Sequence, residues 1–176
     1  MSSLHVHLQQ ANHNKQLGSV ISRFRLPYRD WIVTICFYSA VHLAEGLLFI
    51  LAPLGKHHTE TTKPSGFNGS IHMWRERLIR ELVKQNKLSK NFLLIINNLR
   101  KQSNISRYLI SPSGKGKYQS LNKLAVDYFS EKDIQGFFTQ DLVDLEKEAM
   151  PYFSSISAPA HKEYTLWELI KNYFRK

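Results

Sequence analysis

The longest apolar stretch of the chain, Asp30 to Leu54 (DWIVTICFYSAVHLAEGLLFILAPL), carries polar side chains at helical intervals. At about 100° per residue, Thr34, Tyr38, His42 and Glu45 fall within about 80° of one another, with Trp31 and Phe49 on the same stripe. The other faces are Ile, Val, Leu, Phe and Ala, which predicts a central helix covered on most sides by other helices. Its length also meets the roughly 20 residues of a membrane span. His42 and Glu45 sit near its middle, where polar groups cost most, and no second such run occurs in the sequence. The pattern therefore favours a soluble core helix with a polar stripe and no membrane contact.

The flanking segments follow the same period. Leu4 to Phe24 reads as a first helix, polar on most faces, with Leu8, Leu17, Val20, Ile21 and Phe24 available for packing. Gly18 weakens it slightly. Pro27 separates it from the central helix, and Pro53 with Gly55 closes that helix. Lys56 to Gly69 (KHHTETTKPSGFNG) reads as a long loop. A helix from Ser70, its N-cap, to about Asn86 buries Ile71, Trp74, Leu78, Leu82 and Val83, with His72, Arg75 and Glu76 along the stripe's edge.

A further helix from the N-cap Ser89 to about Ile110 faces Phe92, Ile95, Ile96 and Leu99 to the core. In its second half Arg100, Ser103 and Arg107 share a face, and small Ser103 and Ser106 admit a close neighbour. Ser111 to Lys117 (SPSGKGK) reads as a flexible basic loop that lacks the glycine spacing of a phosphate-binding loop. From Tyr118 the pattern predicts helix again, with Leu121, Leu124, Ala125, Tyr128 and Phe129 in register. Asp133 to Phe153 follows, with Ile134, Phe137, Phe138, Leu142, Leu145 and Ala149 apolar and Gly136 and Pro151 as weak points. Thr165 to Phe174 forms a last amphipathic piece.

No alternating strand pattern of useful length appears, and no repeat. The prediction is all-α: an antiparallel bundle of four to five main helices in a single domain spanning 1–176. Its core lies at about 4–132, with a helical extension at about 133–176.

Composition changes this picture in one respect. The 176 residues are 43% apolar and 22% charged, which suits one globular domain, but the net charge of +10 is unevenly placed. Met1–Trp74 holds six Lys/Arg against three Asp/Glu, Arg75–Lys123 twelve against two, and Leu124–Lys176 six against nine. The middle segment alone carries the whole excess, which points to an anionic partner, RNA first; a basic solvated face is the plain alternative. One cysteine, Cys36 in the apolar run, predicts a buried reduced thiol. The N-terminal residues show no basic stretch followed by an apolar core, so a cytoplasmic location is the expectation.

Three motifs together resemble the HEPN superfamily of helical nucleotide- and RNA-directed domains. They are Asp30-Trp31-Ile32-Val33-Thr34 leading to Phe37-Tyr38-Ser39-Ala40-Val41-His42, then His72-Met73-Trp74-Arg75, then Leu99 through Ser103 to Ser106-Arg107-Tyr108. They are similar to the "DWxVT…FYxAxH", "HxxR" and "L…S…RY" stretches of one branch and cover about residues 4–110. The resemblance implies a bundle of four or five antiparallel helices, commonly dimeric. Many members are metal-independent endoribonucleases of toxin–antitoxin or defence systems, some partnered by a nucleotidyltransferase antitoxin, and others are non-catalytic. Nuclease members typically carry an arginine followed four to six residues later by histidine. No arginine here has a histidine five to seven positions downstream.

Metal-independent RNA cleavage asks for a base, an acid and cations at the phosphorane. The candidates are His42 and His72 as the imidazole pair with Arg75 as cation. Tyr38, Glu45, Arg100, Ser103, Arg107 and Tyr108 are the candidate substrate-binding residues. The bland alternatives stand beside them. His42 and Glu45 would satisfy each other in a helical core, His72 and Arg75 would form a solvated edge, and Arg107 would be a surface ion pair beside a packed Tyr108. His5, His7, His57 and His58 fall in segments expected to be flexible, without carboxylate or thiolate companions at ligand spacing, so neither metal nor cofactor is expected. Three classes remain: an RNA-cleaving enzyme, an RNA- or nucleotide-binding module, and a helical dimer that docks a protein partner.

Overall fold

A helix that is apolar on nearly every face must be surrounded. The computed structural model of the chain gives α2 (Arg29–Leu51) that position, with 14 of its 23 residues buried. The structure describes residues 4–23, 28–51, 63–108, 110–113, 117–120 and 124–153. Among them α2 alone is long and apolar enough to cross a membrane, and 78% of that window is buried inside the fold.

Two helices cover most of α2: α1 (Leu4–Arg23), which makes the broadest contact, and α4 (Lys90–Tyr108). α3 (Ile71–Lys84) packs against α2 and α4. The last described segment runs as α5 (Glu131–Gly136), a π-helical turn (Phe137–Asp141) and α6 (Leu142–Phe153). Its Ile134, Phe137, Leu142, Leu145, Ala149 and Phe153 join the same core as α2. Glu146 of α6 pairs with Lys15 of α1 at 2.5 Å, and Glu148 accepts from the backbone and hydroxyl of Ser89.

Close approach explains the small residues on the α1 side. The Ser39 hydroxyl donates to the Ala11 carbonyl at 2.6 Å, locking α1 onto α2. At Gly18 a β-carbon would run into the Phe138 ring, so the glycine seats an aromatic side chain and accepts some helix propensity loss in exchange.

The predicted caps form. Ser70 Oγ accepts from Met73 N at 3.3 Å to open α3, and Ser89 Oγ accepts from Phe92 N at 3.0 Å to open α4. α3 ends in a Schellman turn: Asn86 takes φ 55°, Asn86 N donates to Val83 O, and Lys87 N donates to Leu82 O.

Two expectations need correction. Ile110–Ser113 and Lys117–Ser120, read as a basic loop and a helix start, form an antiparallel two-stranded ribbon. Four residues per strand is too short to leave a period-2 signal distinguishable from a loop. The helix expected from Tyr118 reduces, within the described residues, to a 3-10 turn at Ala125–Tyr128. Leu124 and Tyr128 are exposed, and Phe129 alone of the expected stripe is shown reaching the core. Among the described residues the fold is all-α apart from this ribbon. His57, His58, Pro53 and the helix expected at Thr165–Phe174 lie outside the described residues.

Candidate functional site

The polar stripe of α2 becomes a seam where α3 and α4 pack against it. At one end Glu45 is 2% exposed and Arg75 of α3 is 5% exposed, and Arg75 Nε donates to Glu45 Oε1 at 2.5 Å. Arg75 is thus a buried partner of Glu45 rather than a solvated edge, because the amphipathic stripe of α3 turns it inward beside Trp74, Ile79 and Leu82. Two charges leave water together, and their pairing is what makes that burial tolerable.

His72, one turn before Arg75, lies 2.8 Å from Arg75 Nη1 through its Nδ1. A guanidinium only donates, so His72 Nδ1 accepts and its proton sits on Nε2. Burial first, then the neighbouring Arg75, Arg107 and Arg100, push the imidazole down to about 4, with Glu45 opposing. Its ring also packs on Phe37, centroids 5.2 Å apart. His72 is therefore a neutral ring whose accepting nitrogen is engaged, suited to offering an N–H and poorly suited to proton abstraction near neutrality.

His42 is drawn the other way. Its Nδ1 lies 3.2 Å from Nδ1 of His7 on α1, so the two imidazoles share one proton between them. His7 is buried and helical, contrary to the expectation that it lies in a flexible segment. On α2, His42 stands about 60° from Ser39, which faces α1, and about 60° from Glu45, which faces α3.

Beyond Glu45 and Arg75 the seam has a small recess with an enclosed space of about 10 Å³. Phe37 and Val41 of α2, His72, Arg75 and Glu76 of α3, and Ile96, Asn97 and Arg100 of α4 line it; His42 is not among them. A space of that size holds about one water, so the recess offers a polar surface to a ligand and does not enclose one. Glu76 takes Arg80 at 2.6 Å and Arg100 at 3.0 Å. Asn97 Nδ2 donates to Glu76 at 3.4 Å, while Asn97 Oδ1 is buried with no hydrogen-bond partner among the described residues. Asn97 was not among the candidates, although it continues the Arg100–Ser103–Arg107 face by one turn toward the N-terminus.

At the other end α2 and α4 are stitched by hydroxyls. The Ser106 hydroxyl donates to the Asp30 carbonyl, and Thr34 Oγ1 lies 2.9 Å from Ser106 Oγ. Ser103, fully buried, provides the close approach expected of it, and its Oγ has no hydrogen-bond partner among the described residues. Arg107 Nη1 donates to Tyr38 OH at 3.0 Å and Nη2 to Asn104 Oδ1 at 3.4 Å. Its guanidinium sits 5.6 Å from the Tyr38 ring centroid and 4.9 Å from that of Tyr108. Among the described residues it meets no carboxylate, so its charge is not neutralised by an ion pair.

Among the described residues no three His, Cys, Asp or Glu side chains cluster to hold a metal ion. Cys36 is fully buried, and burial, then Asp141, pushes its thiol far up, so it is no nucleophile. Comparison with protein-family models, with curated proteins and with solved structures gives no match.

Proposed function

We propose that this chain is a HEPN-like helical bundle that binds RNA, holding the phosphodiester backbone along the α2–α4 seam, and that it works by binding rather than cutting. The observation that carries the reading is Arg107, a guanidinium fixed by Tyr38 and Asn104 yet without a carboxylate among the described residues. Four arginines, Arg75, Arg80, Arg100 and Arg107, stand against two glutamates, Glu45 and Glu76, around the seam, a net of +2 within the basic middle segment. Arg100 and the His72 N–H stand at the recess, where they suit a phosphate oxygen.

Cleavage is disfavoured by the imidazoles themselves. His42 is engaged with His7, and His72 is neutral with its acceptor spent on Arg75. A cytoplasmic homodimer, with or without a nucleotidyltransferase partner, is compatible with this reading and is part of the proposal.

The test incubates the purified protein with labelled RNA in EDTA and measures both integrity and anisotropy over a salt series. Intact RNA bound with an affinity that falls steeply with salt supports the proposal. Cleavage lost in His72→Ala would replace it with the nuclease reading. Neither cleavage nor binding would leave the protein-docking class.

A further inference from the structure

The end of the seam around Arg107 carries more aromatic surface than an anion contact needs. Tyr108 is 58% exposed even though the Arg107 guanidinium lies 4.9 Å from its ring centroid. Trp31 of α2 is 60% exposed, the most exposed tryptophan among the described residues. Seven residues separate Trp31 from Tyr38, so the two lie about 20° apart around α2 and about 10 Å apart along it. Thr34, between them, is tied to Ser106, the residue before Arg107. Helix geometry and these bonds therefore bring Trp31, Tyr38, Arg107 and Tyr108 to one end of the seam.

An exposed indole and an exposed phenol thus lie at the same end of the seam as Arg107. Beside an arginine that meets no carboxylate among the described residues they offer two π-faces and a cation at one end of the seam. That combination fits an unpaired nucleotide: the ring faces stack on bases, whatever their identity, and the guanidinium takes the adjoining phosphate. A duplex keeps its bases stacked on each other and offers only its backbone.

We infer that Trp31 and Tyr108 form a stacking platform for unpaired bases of a single-stranded RNA whose phosphate is held by Arg107. This rests on the RNA-binding reading above and names the form of RNA it takes. The chemistry is sequence-tolerant, so homopolymers of either base class bind, purines more tightly through their larger faces.

The test measures fluorescence anisotropy of labelled oligo-A and oligo-U, each also as the A–U duplex, on the full chain. The variants are Trp31→Ala, Tyr108→Ala, Tyr108→Phe and Arg107→Ala. Both aromatic side chains are exposed, and circular dichroism checks that each variant keeps its helix content. The expected result is single strands bound at least tenfold more tightly than duplex. Tyr108→Ala and Trp31→Ala each weaken the single strand about tenfold and leave the duplex unchanged, while Tyr108→Phe retains affinity because the ring face survives. Single strand and duplex bound alike, with alanine variants indistinguishable from the parent, would overturn the platform while leaving RNA binding intact. No binding of either form would overturn both.

Discussion

The two ends of the polar seam along α2 use the same kinds of residue for opposite purposes. At the Glu45 end an arginine is buried, matched by one carboxylate and used up: Arg75 spends Nε on Glu45 and Nη1 on His72. At the Thr34 end an arginine is half-buried, braced by a phenol, an amide and two rings, and meets no carboxylate among the described residues. A guanidinium among neutral partners keeps its field for a ligand, whereas one paired inside the core has already given it to the fold. Sequence motifs containing both arginines do not separate these roles, because the difference lies in which side chain faces each one.

The largest effect that would sharpen the contrast is on stability. Arg75→Met leaves the Glu45 carboxylate buried without its partner and should cost about 3–5 kcal/mol in urea unfolding. Adding Glu45→Gln to the same chain should restore more than half of that loss. Arg107→Ala, which strands no buried charge, should cost about 1 kcal/mol or less. Equal losses at the two sites would erase the distinction.

Binding should divide in the reverse order. Arg107→Ala is expected to weaken RNA binding about tenfold at low salt and to lower the salt slope by about one. Arg100→Ala should act in the same direction and less strongly, because Glu76 already shares that charge at 3.0 Å. A titration over two salt concentrations for each variant checks both statements.

The Glu45 end should also show the pH dependence. His72 is held down to about 4 in the fold, against about 6.5 in an unfolded chain, so between these values the unfolded state binds the extra proton. Stability is therefore fully present above about pH 6.5 and declines as pH falls towards about 4. The ring is part exposed, which limits this contribution to about 1–2 kcal/mol. His72→Gln should flatten that part of a thermal-stability profile. A slope unchanged by the substitution would mean that other groups carry it.

The smallest change is at the hydroxyl stitch. Thr34→Val keeps the shape of the side chain and removes one hydroxyl from the Thr34–Ser106 contact. Since Ser106 retains the Asp30 carbonyl, the cost should be about 0.5–1 kcal/mol by chemical denaturation.

Much of the fold was legible because it rests on local signals repeated over many residues. The core face of α4, the Ser70 and Ser89 caps and the stripe from Ile134 to Ala149 follow from period and cap chemistry. By contrast, α3 is rotated from its expected face: Trp74 and Leu82 are buried as expected, Ile79 and Arg75 are buried with them, and Ile71, Leu78 and Val83 are only part buried. The two-stranded ribbon was not legible, since four residues per strand carry too little pattern to separate strand from loop.

The site divides in the same manner. Sequence placed Thr34, Tyr38, His42 and Glu45 on one stripe, and Arg100, Ser103 and Arg107 on one face, because helical angles depend only on residue number. It could not say that His42, about 60° from the faces of both neighbours, would turn to His7, since that depends on how α1 is rotated against α2. Nor could it tell that Arg75 would be spent on Glu45 while Arg107 would meet only neutral groups among the described residues. Periodicity fixes which side chains share a face. Which partner each face meets, and so which charge remains available, is decided only when the helices pack.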